Sequence, residues 1–172
     1  MSREFERELK GILSGDEKWF EKALHSCPVD ALRAYRSIRG KPFLVIRAAG
    51  SLGVDLVAIR GDVAFPIEVK SSHSRIIRFS ASSGQGSKQA AELIGHCHRA
   101  GLVPLYAYKL KHVRGEDPWR VFTVDIEGVE GTLRYVHSLL PKMSESRVGH
   151  FIMRWDDGLP LHKFIAYLMH ER

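Results

Sequence analysis

Two apolar segments, residues 54–60 and 63–70, constrain the fold of this chain more than any other feature. Each is rich in β-branched and other apolar side chains, which predicts a β-strand. The Gly61-Asp62 pair between them fits a two-residue hairpin loop with glycine at its first central position. With that loop, counting back along both strands sets Asp55 directly opposite Glu68. The sequence therefore predicts two carboxylates side by side on an antiparallel pair of strands.

Pro66 leaves a second register open. Proline cannot donate a ladder hydrogen bond, so within a sheet it favours an edge position or a bulge. A bulge at Pro66 would break the pairing of Asp55 with Glu68.

The carboxylates of Asp55 and Glu68 would repel each other at the Cβ separation of about 4.5–5.5 Å that direct opposition gives. A hard divalent cation between them would relieve this repulsion, and Mg²⁺ takes oxygen ligands while keeping several waters. Lys70 emerges on the same face two residues beyond Glu68, where an ammonium can position a water or a phosphate. The alternative is a surface hairpin that carries these side chains without a metal. The apolar neighbours favour the metal site, because charges are seldom placed in such strands without partners.

The length and composition are typical of one soluble domain spanning residues 1–172. No apolar run approaches the roughly 18 residues that a bilayer span needs, and the charged first residues lack a signal-peptide core. We therefore expect a cytoplasmic protein with no membrane contact. Cys27 and Cys97 form no CxxC pair and are expected to be reduced thiols.

The positive charge is concentrated in the middle of the chain. The net charge is +6 overall, yet residues 31–114, which contain the hairpin, carry +10 on their own. A localised basic surface suits a polyanion such as DNA, although a generally basic protein gives the same totals. Arg75, Arg78 and Lys88 surround a predicted mobile loop at residues 80–87 and can follow a DNA backbone, unless that loop is simply solvated.

The remaining periodicity predicts a mixed sheet flanked by helices. A first helix should run to about Leu13, and a helix should begin near Ser87 and end at Gly101. Further helices are predicted at 17–24, 29–38, 131–139 and from Pro160, and further strands at 43–46, 102–109, 119–124 and 151–154.

Several segments resemble known nuclease motifs. Gly53-Val54-Asp55 followed by Ile67-Glu68-Val69-Lys70 resembles the PD-(D/E)xK motif of restriction-endonuclease-like nucleases. A longer series in consistent order resembles the archaeal Holliday junction resolvases: Glu6-Arg7-Glu8-Leu9, Arg47-Ala48-Ala49-Gly50-Ser51, Val54-Asp55-Leu56-Val57-Ala58, Ile67-Glu68-Val69-Lys70, and the strands at 103–109 and 119–122.

This resemblance implies a fold and an activity. The fold would be a restriction-endonuclease-like α/β domain, with a central mixed sheet flanked by helices. The activity would be Mg²⁺-dependent resolution of four-way DNA junctions, with Mn²⁺ expected to substitute for Mg²⁺. Each subunit of a homodimer would cut one strand, because symmetric incision needs two sites at a fixed separation.

The resemblance also implies roles for individual residues. Asp55 and Glu68 match the main metal ligands, Glu6 matches a helix carboxylate that helps to hold the metal, and Lys70 matches the catalytic lysine. Ser51 matches the serine of the loop before the aspartate, and the Val69 carbonyl is a further expected metal ligand. The basic residues that match positions important for DNA handling or catalysis are Arg7, Arg47 and Lys109.

The chain also departs from the family pattern. Residues from about 15 to 40 form a predicted helical insertion after the first helix. Glu21 within it could be mistaken for Glu6, whose Glu-Arg-Glu-Leu context favours the earlier residue, although Glu6 could also be a surface glutamate. Leu52 and Gly53 stand where the family often has basic residues. The alternatives are therefore a related nuclease acting on flaps, ends or duplex DNA, and a catalytically silent DNA-binding module.

Overall fold

The computed structural model describes residues 2–49, 51–78 and 85–170, and the side chains of residues 2, 51 and 85–87 lie outside that description. Within these ranges the chain forms the α-helices α1 Ser2–Leu13, α2 Glu17–Ala23, α3 Val29–Ser37, α4 Gln85–Ala100, α5 Gly131–Leu139 and α6 Leu161–His170. The strands of the same ranges are β1 Leu44–Arg47, β2 Leu56–Arg60, β3 Val63–Ser72, β4 Ile76–Arg78, β5 Leu105–Leu110, β6 Trp119–Phe122, β7 Ser144–Glu145, β8 Phe151–Arg154 and β9 Leu159–Pro160.

The strands build a central mixed sheet and a small second sheet. The central sheet has the order β1-β2-β3-β5-β6-β9. The pairing of β3 with β5 is parallel, and the other neighbours are antiparallel. This confirms the expected mixed sheet flanked by helices. The second sheet, β4-β8-β7, was not predicted as a unit, because strands of two to four residues give almost no periodic signal.

Alternation along the central strands divides the core into two layers. Ile67 and Val69 of β3 pack with α1, α2, α3, α5 and α6 on one face of the sheet. Tyr106 and Tyr108 of β5 pack on the other face, with Leu93 of α4 and residues of the second sheet. The register pairs Glu68 with Tyr106, so the Glu68 side chain points to the α4 face.

A buried carboxylate ties three separate elements together. Asp117, which precedes β6, is 2% exposed. Its carboxylate accepts hydrogen bonds from the Tyr35 hydroxyl of α3 at 2.7 Å and from the backbone N–H of Trp119 at 2.9 Å. At the start of α6 it accepts the His162 N–H at 3.0 Å, and His162 Nδ1 lies 2.8 Å away. Asp117 therefore satisfies a backbone donor of the helix terminus and fixes α6 against α3.

Most predicted elements match, with differences at their ends. The bounds of α5 and β8 agree with the prediction, and the 15–40 segment is helical, with α2, α3 and a 3-10 turn at Ile38–Gly40. Residues 85–87, expected in a loop, lie in α4, while residues 79–84 fall outside the described part of the chain. In the described ranges we find no helix with the length and apolar character that crossing a bilayer requires.

Candidate active site

The β2–β3 hairpin has the predicted register and a bulge at a different place. Val57 pairs with Pro66 and Leu56 pairs with Ile67, as counted from the loop. The Asp55 N–H, however, also donates to the Ile67 carbonyl, at 2.9 Å. Asp55 and Leu56 thus face one residue, which is the two-to-one pattern of a β-bulge. The bulge considered at Pro66 lies at Asp55 instead, so the expected direct opposition of Asp55 and Glu68 is replaced.

The bulge redirects the Asp55 carboxylate onto the backbone of β3. Asp55 Oδ2 accepts the Val69 N–H at 2.7 Å, midway between Glu68 and Lys70. Bulges near active sites commonly re-aim one side chain in this way. Asp55 is therefore held beside Glu68 and Lys70 by a side-chain hydrogen bond in addition to the strand pairing.

Burial raises the pKa values of the two carboxyl groups of the candidate site, Asp55 and Glu68. For Glu68, which is 8% exposed, desolvation raises the pKa, the Lys70 charge and hydrogen bond oppose that rise, and the Asp55 charge adds to it. For Asp55, desolvation raises the pKa, the Val69 N–H opposes it, and the Glu6 charge adds to it. Lys70 Nζ lies 2.8 Å from Glu68 Oε1. The site therefore concentrates negative charge where solvent screens it poorly.

Glu6 reaches this site from α1. It is 6% exposed, and its Oε2 lies 3.1 Å from the guanidinium of Arg47 at the end of β1. Its negative charge contributes to the raised pKa of Asp55. Glu21, the competing residue on α2, is exposed. Tertiary position therefore favours Glu6 as the helix carboxylate.

The chemistry of the donor set fits a hard divalent cation. Among the described residues, no three Asp, Glu, His or Cys side chains are grouped closely enough to hold a metal by themselves. Asp55 and Glu68 supply two carboxylates, and the Val69 carbonyl points to the same strand edge as its N–H, toward Asp55. Mg²⁺ accepts one or two carboxylates and completes its shell with water, so this set suits it. Glu6 would join after release from Arg47.

The loop before Asp55 has an unusual backbone. Ala49, Leu52 and Gly53 all have positive φ, at 54°, 57° and 74°. Left-handed non-glycine residues cost free energy and cluster at functional sites. A Cβ on Gly53 would lie 3.2 Å from Cβ of Gln89, so glycine lets α4 approach this loop. The side chain of Ser51, the serine expected in this loop, lies outside the described part of the chain.

The expected DNA-binding residues separate into exposed and enclosed groups. Those exposed to solvent are Arg7, Arg47, Arg75, Arg78 and Lys88. Arg75 also lies 2.5 Å from Asp156, with both side chains exposed.

Lys109, the remaining residue of the expected DNA-binding set, lies in a different environment. Its side chain is 13% exposed, and Nζ lies 2.5 Å from both carboxylate oxygens of Glu8. Trp119 Nε1 donates to the same carboxylate at 2.7 Å. The Lys109 charge is thus neutralised between α1 and the sheet. Sequence reasoning missed Glu8 as the partner, although Glu8 stands in the quoted Glu-Arg-Glu-Leu segment.

Comparison with known proteins identifies the family of the chain. The family model described as archaeal Holliday junction resolvase (hjc) matches residues 33–140, more than half of the chain. The chain belongs to the archaeal Holliday junction resolvase family. As a member of the Hjc family it is a nuclease that acts on DNA. The match contains Asp55, Glu68 and Lys70, whereas α1 with Glu6 lies before it.

A solved structure is also similar to the chain. It is that of Archaeoglobus fulgidus Hjc, described as a Holliday junction resolvase from an archaeal hyperthermophile. The similarity has 21% sequence identity and a TM-score of 0.46, over 73% of this chain and 88% of that one. No curated protein matches the chain in sequence.

Proposed function

We propose that this Hjc-family chain is a Mg²⁺-dependent endonuclease that resolves four-way DNA junctions by paired phosphodiester hydrolysis. The observation that carries the proposal is the bulge at Asp55. Its carboxylate is fixed on the Val69 N–H at 2.7 Å, beside the Glu68–Lys70 pair. A desolvated cluster of this kind gains most when a cation and a phosphate share it.

The residues of the cluster would divide the chemistry among them. Asp55, Glu68 and the Val69 carbonyl would hold the metal, with Glu6 as a further carboxylate. When bound, Mg²⁺ polarises a phosphoryl oxygen and lowers the pKa of a bound water. The Lys70 ammonium, 2.8 Å from Glu68, can donate to the attacking water or to the phosphate oxygen on which negative charge develops. Arg47, beside Glu6, can hold a neighbouring phosphate.

Paired incision supports a homodimer, for which the open edge of the central sheet is the best candidate surface. β1 forms that edge. Leu44 and Ile46 of β1 and Ile59 of β2 are exposed, and the pairing of Leu44 with Ile59 puts their side chains on one face. An exposed apolar edge strand favours association unless another surface covers it. Arg47 ends β1 and contacts Glu6. A two-fold contact along β1 would therefore bring the candidate active sites of the two subunits together.

We expect Ile46→Glu to weaken self-association about a hundredfold, because a charge would replace an apolar anchor of the contact. Analytical ultracentrifugation measures the change in mass. Junction cleavage should change from paired cuts to single nicks. The control is Val148→Glu, which adds the same charge at an exposed valine in the turn between β7 and β8. If Ile46→Glu remained dimeric, this surface would be excluded as the interface.

The activity is tested by cleavage of a synthetic four-way junction, a flap and a linear duplex of matched sequence, with Mg²⁺, with Mn²⁺ and with EDTA. We expect two symmetric cuts in the junction with either metal, none with EDTA, and little cutting of the duplex. Equal cutting of the duplex would favour the related nuclease acting on flaps, ends or duplex. Tight binding of the junction without any cutting would favour a catalytically silent module.

A further inference from the structure

A cavity beside the candidate active site has no role in the proposed hydrolysis. It lies between α1 and α2, has a volume of about 470 Å³, and is lined by Arg7, Lys10, Gly11, Trp19 and Arg47, among other residues. We call it the α1–α2 cavity. Pockets that hold small ligands commonly measure about 300–1,000 Å³, so this one can accommodate a nucleotide. Arg47 also contacts Glu6, so the cavity borders the proposed metal site.

The indole of Trp19 forms a fixed wall of this cavity. A Cβ on Gly11 would overlap the ring at Cδ1, Cγ and Nε1, so the indole rests directly on the backbone of α1. Lys22 Nζ lies 5.0 Å from the ring centroid. Trp19 lines the α1–α2 cavity, whereas Lys22 does not. The Trp19 side chain is partly exposed, so part of the indole is accessible to a ligand.

The charges around the cavity suit a phosphodiester. Arg7, Lys10 and Arg47 supply three cations, against the single carboxylate of Asp16. Asp16 Oδ1 accepts the Lys18 N–H at 3.1 Å, which caps α2. Arg7 and Lys10 lie three residues apart, on one side of α1. The cavity therefore combines a cationic rim with an aromatic wall, as do sites that bind single-stranded nucleic acid.

We propose that the α1–α2 cavity binds one nucleotide of the DNA strand that leaves the cleavage site, with its unpaired base stacked on Trp19 and its phosphates on Arg7, Lys10 and Arg47. The proposal deepens the proposed function and rests on it. In the open form of a four-way junction the base pairs at the exchange point lack a stacking neighbour on one side, so one base leaves its pair at a lower cost than a base inside a linear duplex. Trp19 then favours branched substrates over plain duplex.

Intrinsic fluorescence tests the stacking directly. Of the three tryptophans, Trp119 and Trp155 are fully buried and Trp19 is partly exposed. In EDTA, which prevents cutting, a short single-stranded oligonucleotide and a four-way junction should both quench the fluorescence of the natural protein. Trp19→Phe should remove that quenching. The same quenching in Trp19→Phe, or no quenching in the natural protein with DNA bound, would overturn the proposal.

Binding constants test the contribution of the cavity to affinity. Trp19→Ala should weaken junction binding about tenfold, since stacking on one aromatic side chain has an effect of this order, and should change duplex binding less than twofold. Lys10→Ala should weaken junction binding about threefold and reduce the slope of log K against log salt by about one. The matched control is Lys18→Ala, because Lys18 is an exposed lysine on α2 that does not line the cavity.

The two proposals fail in different ways. If the natural protein cuts junctions while Trp19→Phe and Trp19→Ala bind and cut them normally, the cavity proposal alone is wrong. If the natural protein neither cuts nor prefers junctions, the proposed function is wrong. In that case the single-stranded oligonucleotide still tests whether the cavity stacks a base on Trp19.

Discussion

Asp55→Asn should abolish junction cleavage, lowering the rate by about three orders of magnitude, while junction affinity stays within about twofold. The physical reason lies in the bulge. Asp55 Oδ2 accepts the Val69 N–H at 2.7 Å, and the amide oxygen of asparagine can accept the same hydrogen bond. The substitution therefore preserves the backbone geometry and removes only the negative charge that a divalent cation needs. Single-turnover cleavage and gel-shift titration of one four-way junction measure the two quantities.

The free energy of unfolding in EDTA shows whether Asp55→Asn has lost only metal binding or has also lost stability. Burial raises the pKa of Asp55, so without metal this carboxyl ionises at lower pH in the unfolded chain than in the folded protein. Its contribution to the free energy of unfolding therefore falls as the pH rises from the ordinary aspartate value through the raised one. Asparagine does not ionise. Urea denaturation in EDTA should thus show Asp55→Asn gaining stability relative to the natural protein across that window.

Two outcomes would contradict the assignment of Asp55 as a metal ligand. Undiminished cleavage by Asp55→Asn would exclude Asp55 as a metal ligand, whatever its stability. Loss of cleavage together with a large loss of stability in EDTA would indicate a structural role for this carboxylate instead.

Asp117→Ala should lower the free energy of unfolding by about 3 kcal/mol, because it removes the acceptor of several buried hydrogen bonds. The Tyr35 hydroxyl, the Trp119 N–H and the His162 N–H would all lose their partner. Burial of these donors without an acceptor costs more than the net value of each hydrogen bond. Urea denaturation followed by circular dichroism measures the effect.

Two further variants make the Asp117 prediction specific. Tyr35→Phe removes one hydroxyl of the same network and should cost about 1 kcal/mol. Asp156→Ala removes an exposed carboxylate that pairs with the exposed Arg75 and should cost less than about 1 kcal/mol. Equal losses for Asp117→Ala and Asp156→Ala would mean that the buried network does not fix α6.

Local pattern alone located the hairpin and the motif on it. The apolar runs at residues 54–60 and 63–70, with the two-residue loop Gly61-Asp62 between them, predicted the observed pairing of Leu56 with Ile67. Alternation then put Glu68 and Lys70 on one face, where their charged groups lie 2.8 Å apart. The hairpin pairing and the shared face of Glu68 and Lys70 depend only on residues close together in the sequence, so the sequence alone could predict them.

The positions of α1 and of the bulge depended on contacts between distant residues. Glu6 meets Arg47 and influences Asp55, and Glu8 meets Lys109, a residue 101 positions away. A helical pattern predicts which residues share a side of α1, but the sheet against which each side packs is built from strands much later in the chain. The sequence thus determined which chemical groups the candidate site contains. Tertiary packing determined that Glu6 lies near the site while Glu8 pairs with Lys109. The energies of burial and of ion pairing arise only after the helices have packed on the sheet, so the sequence pattern could not show this choice.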